Sequence, residues 1–159
     1  MMKRFWWLIL LLLIALLLAS CGQEPSTPQP TQRPTQHSPL AGTVWALVKL
    51  NGHDVLPDPH ITLSFLDDEI LKGFAGCNGY GGGPDSGGYI AADDGSFEIP
   101  MLAVTVKFCA DEQLMAQENE YIKMLIKAVR YRIERGRLLF FGDEGKEILE
   151  FVRSEEGIP

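Results

Sequence analysis

The groups in this 159-residue chain able to do chemistry are three cysteines, three histidines and 21 acidic side chains. Their spacing decides what that chemistry can be. His37, His53 and His60 are spread out with no H-x-x-x-H pair, so no zinc ligand set is expected. A nucleophilic cysteine needs a base to take its proton, yet neither Cys77 nor Cys109 lies near a histidine in sequence. Asp85, Asp93 and Asp94 offer oxygen ligands without the alternating spacing and terminal glutamate of an EF-hand cage. The stretch Gly79 to Gly88 lacks the Lys-Ser/Thr ending of a phosphate-cradling loop and opens no helix, so it reads as a hairpin excursion. No Gly-x-Ser-x-Gly elbow is present, and no two acids are singled out as the carboxylate pair that glycoside hydrolysis requires. The expectation is a protein without catalytic, cofactor-binding or metal-ligating residues, and not an enzyme.

The third cysteine has a different setting. Lys3 and Arg4 form a short positive start, Phe5 to Leu18 is an unbroken apolar run, and Leu18-Ala19-Ser20-Cys21 follows. This resembles a bacterial lipoprotein signal, whose lipobox places a branched residue and two small ones before the cysteine that receives diacylglycerol. The resemblance implies cleavage after Ser20 and lipidation, palmitate included, at Cys21. A spanning helix fits less well, because the 15 residues from Phe5 to Ala19 reach only roughly 22 Å against a core of about 30 Å. Two or more acyl chains anchor a protein without a spanning segment. Gly22 after the cysteine resembles lipoproteins exported to the outer membrane in two-membrane bacteria.

The next residues are of another kind. Five of the ten prolines (Pro25, Pro28, Pro30, Pro34 and Pro39) fall among Gln, Thr and Ser between Gly22 and Pro39, a composition that builds no core and favours extended geometry. Eighteen such residues reach up to roughly 55 Å. The chain therefore divides into a signal peptide (1–20), a lipidated cysteine with its tether (21–39), a folded domain (40–153) and a tail (154–159). With Cys21 acylated, Cys77 and Cys109 are left as an even pair in an oxidising compartment, which favours a disulfide over two buried thiols. Closing that loop would stabilise the fold by roughly 3 to 4 kcal/mol.

The formal charge of −7 becomes −9 once Lys3 and Arg4 leave with the signal, which argues against nucleic acid as a partner. Lys127, Arg130, Arg132, Arg135 and Arg137 form the one basic cluster, read as a solvated face.

The elements that must position these groups are short. Val44, Ala46, Val48 and Leu50 share one face of a first strand, with a turn at Asn51-Gly52. Ile61, Leu63 and Phe65 mark a second, and Ile70 to Cys77 a third. Tyr89 to Ala92 and Phe97 to Thr105 follow, the latter broken at Pro100. Leu114, Tyr121, Leu125 and Ala128, widened by Met115, Ile122 and Val129, recur at helical spacing from Asp111 to Val129. Three strands close the chain (Arg130 to Glu134, Leu138 to Phe141, Glu147 to Val152), with turns at Arg135-Gly136 and Asp143-Glu144-Gly145. Strands, one helix, then strands predict an α+β fold: a mostly antiparallel sheet or partial β-barrel packed against one α-helix. Trp45, Phe74 and Tyr131 read as core.

Gly42-Thr43-Val44-Trp45, Gly73-Phe74-Ala75-Gly76-Cys77-Asn78 and Thr105-Val106-Lys107-Phe108-Cys109 together resemble the META/HslJ domain. A helix start bearing Glu118 and Glu120, then Tyr131-Arg132-Ile133, Leu138-Leu139-Phe140 and Gly145 before Ile148, Leu149 and Phe151, continue it over nearly all of residues 40 to 152. The family motif Gly76, Cys77, Asn78 is its most specific part. Gly79 to Gly88 departs as a long insert, after which Tyr89 is taken as the tyrosine of the family's next strand. The resemblance implies a small exported domain associated with heat shock and antibiotic tolerance. The expected protein is a non-enzymatic cell-envelope lipoprotein, held on the membrane by its N-terminal lipid, that binds or stabilises an envelope protein or ligand under stress. The alternative is a small envelope enzyme or hydrolase inhibitor acting through the Gly79 to Gly88 loop.

Overall fold

The computed structural model describes residues 38–66, 69–83 and 88–154. The signal peptide, Cys21 and most of the tether lie outside the described residues, as do Asp67, Asp68, Asp85 and most of the tail. Among the described residues no helix is long and apolar enough to cross a membrane.

The described residues form eleven strands and one helix: β1 (Thr43–Leu50), β2 (His53–Asp54), β3 (Thr62–Phe65), β4 (Leu71–Phe74), β5 (Gly79–Gly82), β6 (Ile90–Ala91), β7 (Phe97–Glu98), β8 (Ala103–Val104), α1 (Glu112–Lys127), β9 (Arg130–Glu134), β10 (Arg137–Phe141) and β11 (Glu147–Arg153). The main sheet runs β8-β5-β4-β3-β1-β11-β10-β9, with β2 paired to β1, while β6 and β7 form a separate ribbon. Every pairing is antiparallel. The fold is thus α+β, an antiparallel sheet against one helix. It is not a closed barrel, since β8 and β9 are the two ends of the sheet.

Local sequence explains most of these elements. Asn51 and Gly52 carry φ of 52° and 83°, and Arg135 and Gly136 carry 51° and 76°. Two successive positive values make the two-residue turn whose twist suits a hairpin. Asp111 caps the helix, its Oδ1 accepting from Gln113 N at 2.9 Å and Leu114 N at 3.1 Å. Helix Glu112–Lys127 then ends earlier than its apolar pattern reaches, and Val129 is an exposed residue of the link to β9.

Two strand readings are corrected, while Val44, Ala46 and Val48 share one face of β1 as expected. In β1 the core face carries Thr43, Trp45 and Leu47, while Val44, Ala46 and Val48 are half-buried on the other face. The larger Trp45 and Leu47 take the interior because they remove more apolar surface from water. The third strand ends at Phe74 rather than Cys77, because Ala75 to Asn78 form the turn of a hairpin, closed by Ala75 N donating to Asn78 O at 2.8 Å. Its returning arm is Gly79–Gly82, part of the segment expected to be a loop. Glycines weaken a strand, but here Tyr80 supplies the missing bulk. It lies opposite Gly73 across the pair, and any Cβ at Gly73 would strike its ring. Tyr80, not Tyr89, is therefore the tyrosine of the strand that follows Asn78, while Tyr89 is a buried core residue just before β6.

One hydrophobic cluster holds the sheet and helix together. Phe97 sits among Phe65, Tyr89, Tyr131 and Phe140, with ring centroids 4.7 to 6.4 Å apart. Phe151 continues the contact from Phe140 to Tyr121 on the helix. The two-residue strand β7 is kept in place by that packing and by Phe97 N donating to Val129 O at 2.9 Å. Trp45 is buried with its indole N–H satisfied by Thr43 Oγ1 at 2.6 Å, and Thr43 Oγ1 in turn donates to Leu40 O. This relay accounts for the threonine two positions before the tryptophan. Tyr131 is buried as expected, and Phe74 only half so.

Candidate functional site

The Gly-Cys-Asn turn between β4 and β5 is pressed against the middle of α1. Gly76 has φ of 114°, and a Cβ there would come within 2.8 Å of Leu114 Cδ1. The backbone conformation favours glycine here, and any larger residue would also have to push the Leu114 side chain aside. This puts the next two amides over Glu118, which is 4% exposed. Glu118 Oε2 accepts from Cys77 N at 2.9 Å and Asn78 N at 2.7 Å, and Oε1 accepts from Asn78 Nδ2 at 2.6 Å. Three donors and no acceptor face this side chain, a need that a carboxylate meets.

Asn78 carries the network outward. Its Oδ1 accepts from Thr105 Oγ1 at 2.9 Å and Lys107 N at 2.7 Å, and its Nδ2 also reaches Lys107 O at 3.5 Å. Both amide protons and both lone-pair positions of the side chain are thereby used. Thr105 N donates to Gly79 O at 2.9 Å, and Gly79 N donates to Thr105 Oγ1 at 3.1 Å. Helix, hairpin turn and the segment after β8 are thus fastened at one point. Cys77 and Cys109 close the same point covalently in a disulfide with Cα atoms 6.3 Å apart.

Beside this polar knot the surface is apolar. Val106 is 97% exposed and Phe108 92%. They flank Lys107, whose backbone is held by Asn78 from within.

A second polar tie lies deeper. Tyr80 OH donates to Thr62 O at 2.6 Å and shares a hydrogen bond with Tyr121 OH. Burial, with Tyr121 adjacent, pushes the Tyr80 hydroxyl far above the ordinary tyrosine range, and burial likewise raises Tyr121.

A third feature is an open groove of about 700 Å³ lined by Asp93, Asp94, Arg130, Tyr131, Arg132 and Ile133, among others. Two of its charges, on Asp94 and Arg132, serve local structure. Asp94 Oδ1 accepts from Ser96 N at 2.9 Å, a bond that lowers its carboxyl below the usual range. Arg132 pairs with Glu134 at 3.2 Å and lies over the Phe141 ring. The basic cluster is exposed, and Arg137 pairs with Glu150.

The structure therefore brings together Gly76, Cys77, Asn78 and Cys109, and leaves His53 and His60 exposed elsewhere. Among the described residues no group of three histidines, cysteines or acids is placed to hold a metal. The partner that sequence reading missed is Glu118, which stands in the middle of α1 and not at its start. A signal for it exists: Glu118 is four residues after Leu114 and three before Tyr121, inside the apolar stripe.

A small antiparallel sheet, one helix across it and a Gly-Cys-Asn turn clamped by a helix carboxylate define a compact, disulfide-braced α+β module. The META domain family model matches residues 38–156, and the chain belongs to that family. Solved structures similar to it include an NMR structure of a protein from Burkholderia xenovorans, 24% identical with a TM-score of 0.57, over 86% of this chain and 97% of that one. Another NMR structure is 22% identical with a TM-score of 0.54, over 69% and 87%. A crystal structure of a DUF4847 family protein from Bacteroides vulgatus is 16% identical with a TM-score of 0.51, over 74% and 96%. At these identities the likeness concerns the fold. No curated protein sequence matches.

Proposed function

We propose that this META-domain protein is a non-enzymatic cell-envelope lipoprotein, lipidated at Cys21 and tethered by residues 22–39, whose domain binds or stabilises an envelope partner under stress. The observation that carries this reading is the disulfide between Cys77 and Cys109. Such a bond persists outside the reducing cytoplasm, which agrees with the export signal that Leu18-Ala19-Ser20-Cys21 resembles. The polar groups around Glu118 support the non-enzymatic part, because the Cys77 and Asn78 amides, the Asn78 side chain and the Glu118 carboxylate are matched to one another or to the neighbouring chain, whereas a catalytic site leaves polar groups free to meet substrate. In a host with two membranes, Gly22 favours the outer one.

Metabolic labelling tests the reading. Palmitate is expected to enter the wild-type chain and not Cys21→Ser, with the mature protein starting at residue 21. An unlabelled wild-type chain that keeps its first twenty residues contradicts it.

The inhibitor alternative assigned contact to the Gly79 to Gly88 loop. Within it Gly79–Gly82 are strand β5, paired to β4 on one side and β8 on the other, and residues 84–87 lie outside the described residues. The exposed apolar tip of the domain lies at Val106 and Phe108.

A further inference from the structure

We infer that Val106 and Phe108 form a membrane-contact tip, inserting into the interface of the bilayer to which the chain is anchored. The inference rests on the lipoprotein reading above.

Bulky apolar side chains are seldom left standing fully in water on a fixed backbone. Here the backbone is fixed. Thr105 is bonded to Gly79, Lys107 to Asn78 through both its N–H and its C=O, and the next residue but one is the disulfide cysteine. Thr105 and Lys107 are exposed but held from inside by these bonds, and Val104, Val106 and Phe108 between and beside them are 36%, 97% and 92% exposed.

Size points the same way. Two such side chains present roughly 300 to 400 Å² of apolar surface, at most about half of the about 800 Å² that each member of a stable protein pair buries. A projecting tip of that size is too small to hold a partner from solution, but it is enough for a surface already close by. The chain outside the described domain provides that closeness. Ser38 follows Cys21 by 17 residues, a length of chain that cannot reach beyond roughly 60 Å, so an acylated Cys21 would hold the domain at a local concentration on the order of millimolar near the bilayer. Lys107 is the only charged residue from Pro100 to Ala110, so the segment itself brings a positive charge and no negative one. Its ammonium can stay among headgroups while its neighbours dip below them.

The test uses the full lipidated chain reconstituted in phosphatidylethanolamine/phosphatidylglycerol vesicles, with and without brominated acyl chains. Phe108→Trp adds an indole reporter at the tip, and Ile133→Trp, on β9 at the other end of the sheet, adds a control indole. Bromolipid is expected to remove more than about half of the emission that the tip indole adds over the buried Trp45, and far less of that from the control indole. Adding Val106→Asp to the Phe108→Trp chain should reduce this quenching at least about threefold, and about 0.5 M salt should leave it largely in place, as expected for apolar insertion rather than headgroup attraction. Intact mass of the same sample reports diacylglycerol separately. A lipidated chain whose tip indole is unquenched overturns the membrane tip alone. So does quenching equal at both positions, or a tip indole that responds only to envelope proteins. A chain without diacylglycerol overturns the lipoprotein reading and removes the anchor on which the tip depends.

Discussion

Two neighbouring regions reverse the usual distribution of polarity. At the hairpin turn a glutamate and an asparagine side chain are buried, at 4% and 3% exposure. Along the segment after β8 a valine and a phenylalanine are almost wholly in water. The first explains the second. Burying Glu118 is tolerable only because three N–H donors meet it, and the asparagine that supplies two of them also holds Lys107 from below. An exposed apolar tip needs a rigid base, and here that base is polar.

The largest effect is expected where this base is removed. Glu118→Ala leaves the Cys77 and Asn78 donors buried without an acceptor and should cost about 4 kcal/mol or more. Asn78→Asp, nearly the same shape, sets a second carboxylate against Glu118 and should destabilise strongly at neutral pH and less in acid. Urea denaturation of both variants measures this, and a loss under about 1 kcal/mol in either would show that the knot bears little of the fold. Next comes the covalent closure. Cys109→Ser, or reduction, opens a loop of 32-residue separation and should cost roughly 3 to 4 kcal/mol. An unchanged denaturation midpoint after reduction would contradict that.

The tyrosine pair sharpens the comparison, because it is a second polar tie inside the same core. Below pH about 10 both hydroxyls are neutral whether the chain is folded or not. Above it the unfolded chain releases protons that the fold retains, since burial raises both groups. Stability should therefore fall as pH rises, by up to about 1.4 kcal/mol per unit for each tyrosine until the folded values are reached. Tyr80→Phe with Tyr121→Phe should flatten this dependence, and a variant as alkali-sensitive as the parent would refute the assignment. The smallest effect belongs to the tip. Val106→Ser with Phe108→Ser should change stability by less than about 0.5 kcal/mol, whereas a larger loss would mean these side chains are part of the core.

Much of this arrangement is legible in the sequence. The helix between two groups of strands, the turns at Asn51-Gly52 and Arg135-Gly136, and Ile61, Leu63 and Phe65 as the alternating apolar residues of one strand follow from periodicity and turn chemistry. What is not legible has physical causes. Gly79 to Gly82 read as a loop because glycine has little preference for strands, and only pairing reveals that Tyr80 covers Gly73. In β1 both faces are apolar, so alternation cannot say which is inside. The position of Glu118 in the apolar stripe hints at burial, but its partners are not legible, since its amide donors lie about 40 residues earlier in the chain.

The central claim, that a buried polar knot holds the exposed tip, is tested most directly by native-state hydrogen exchange residue by residue. The amides of Cys77, Asn78 and Lys107 should exchange as slowly as those of the core strands, while Val106 and Phe108 on either side of Lys107 exchange within the dead time. A Lys107 amide that exchanges as fast as its two neighbours would contradict it.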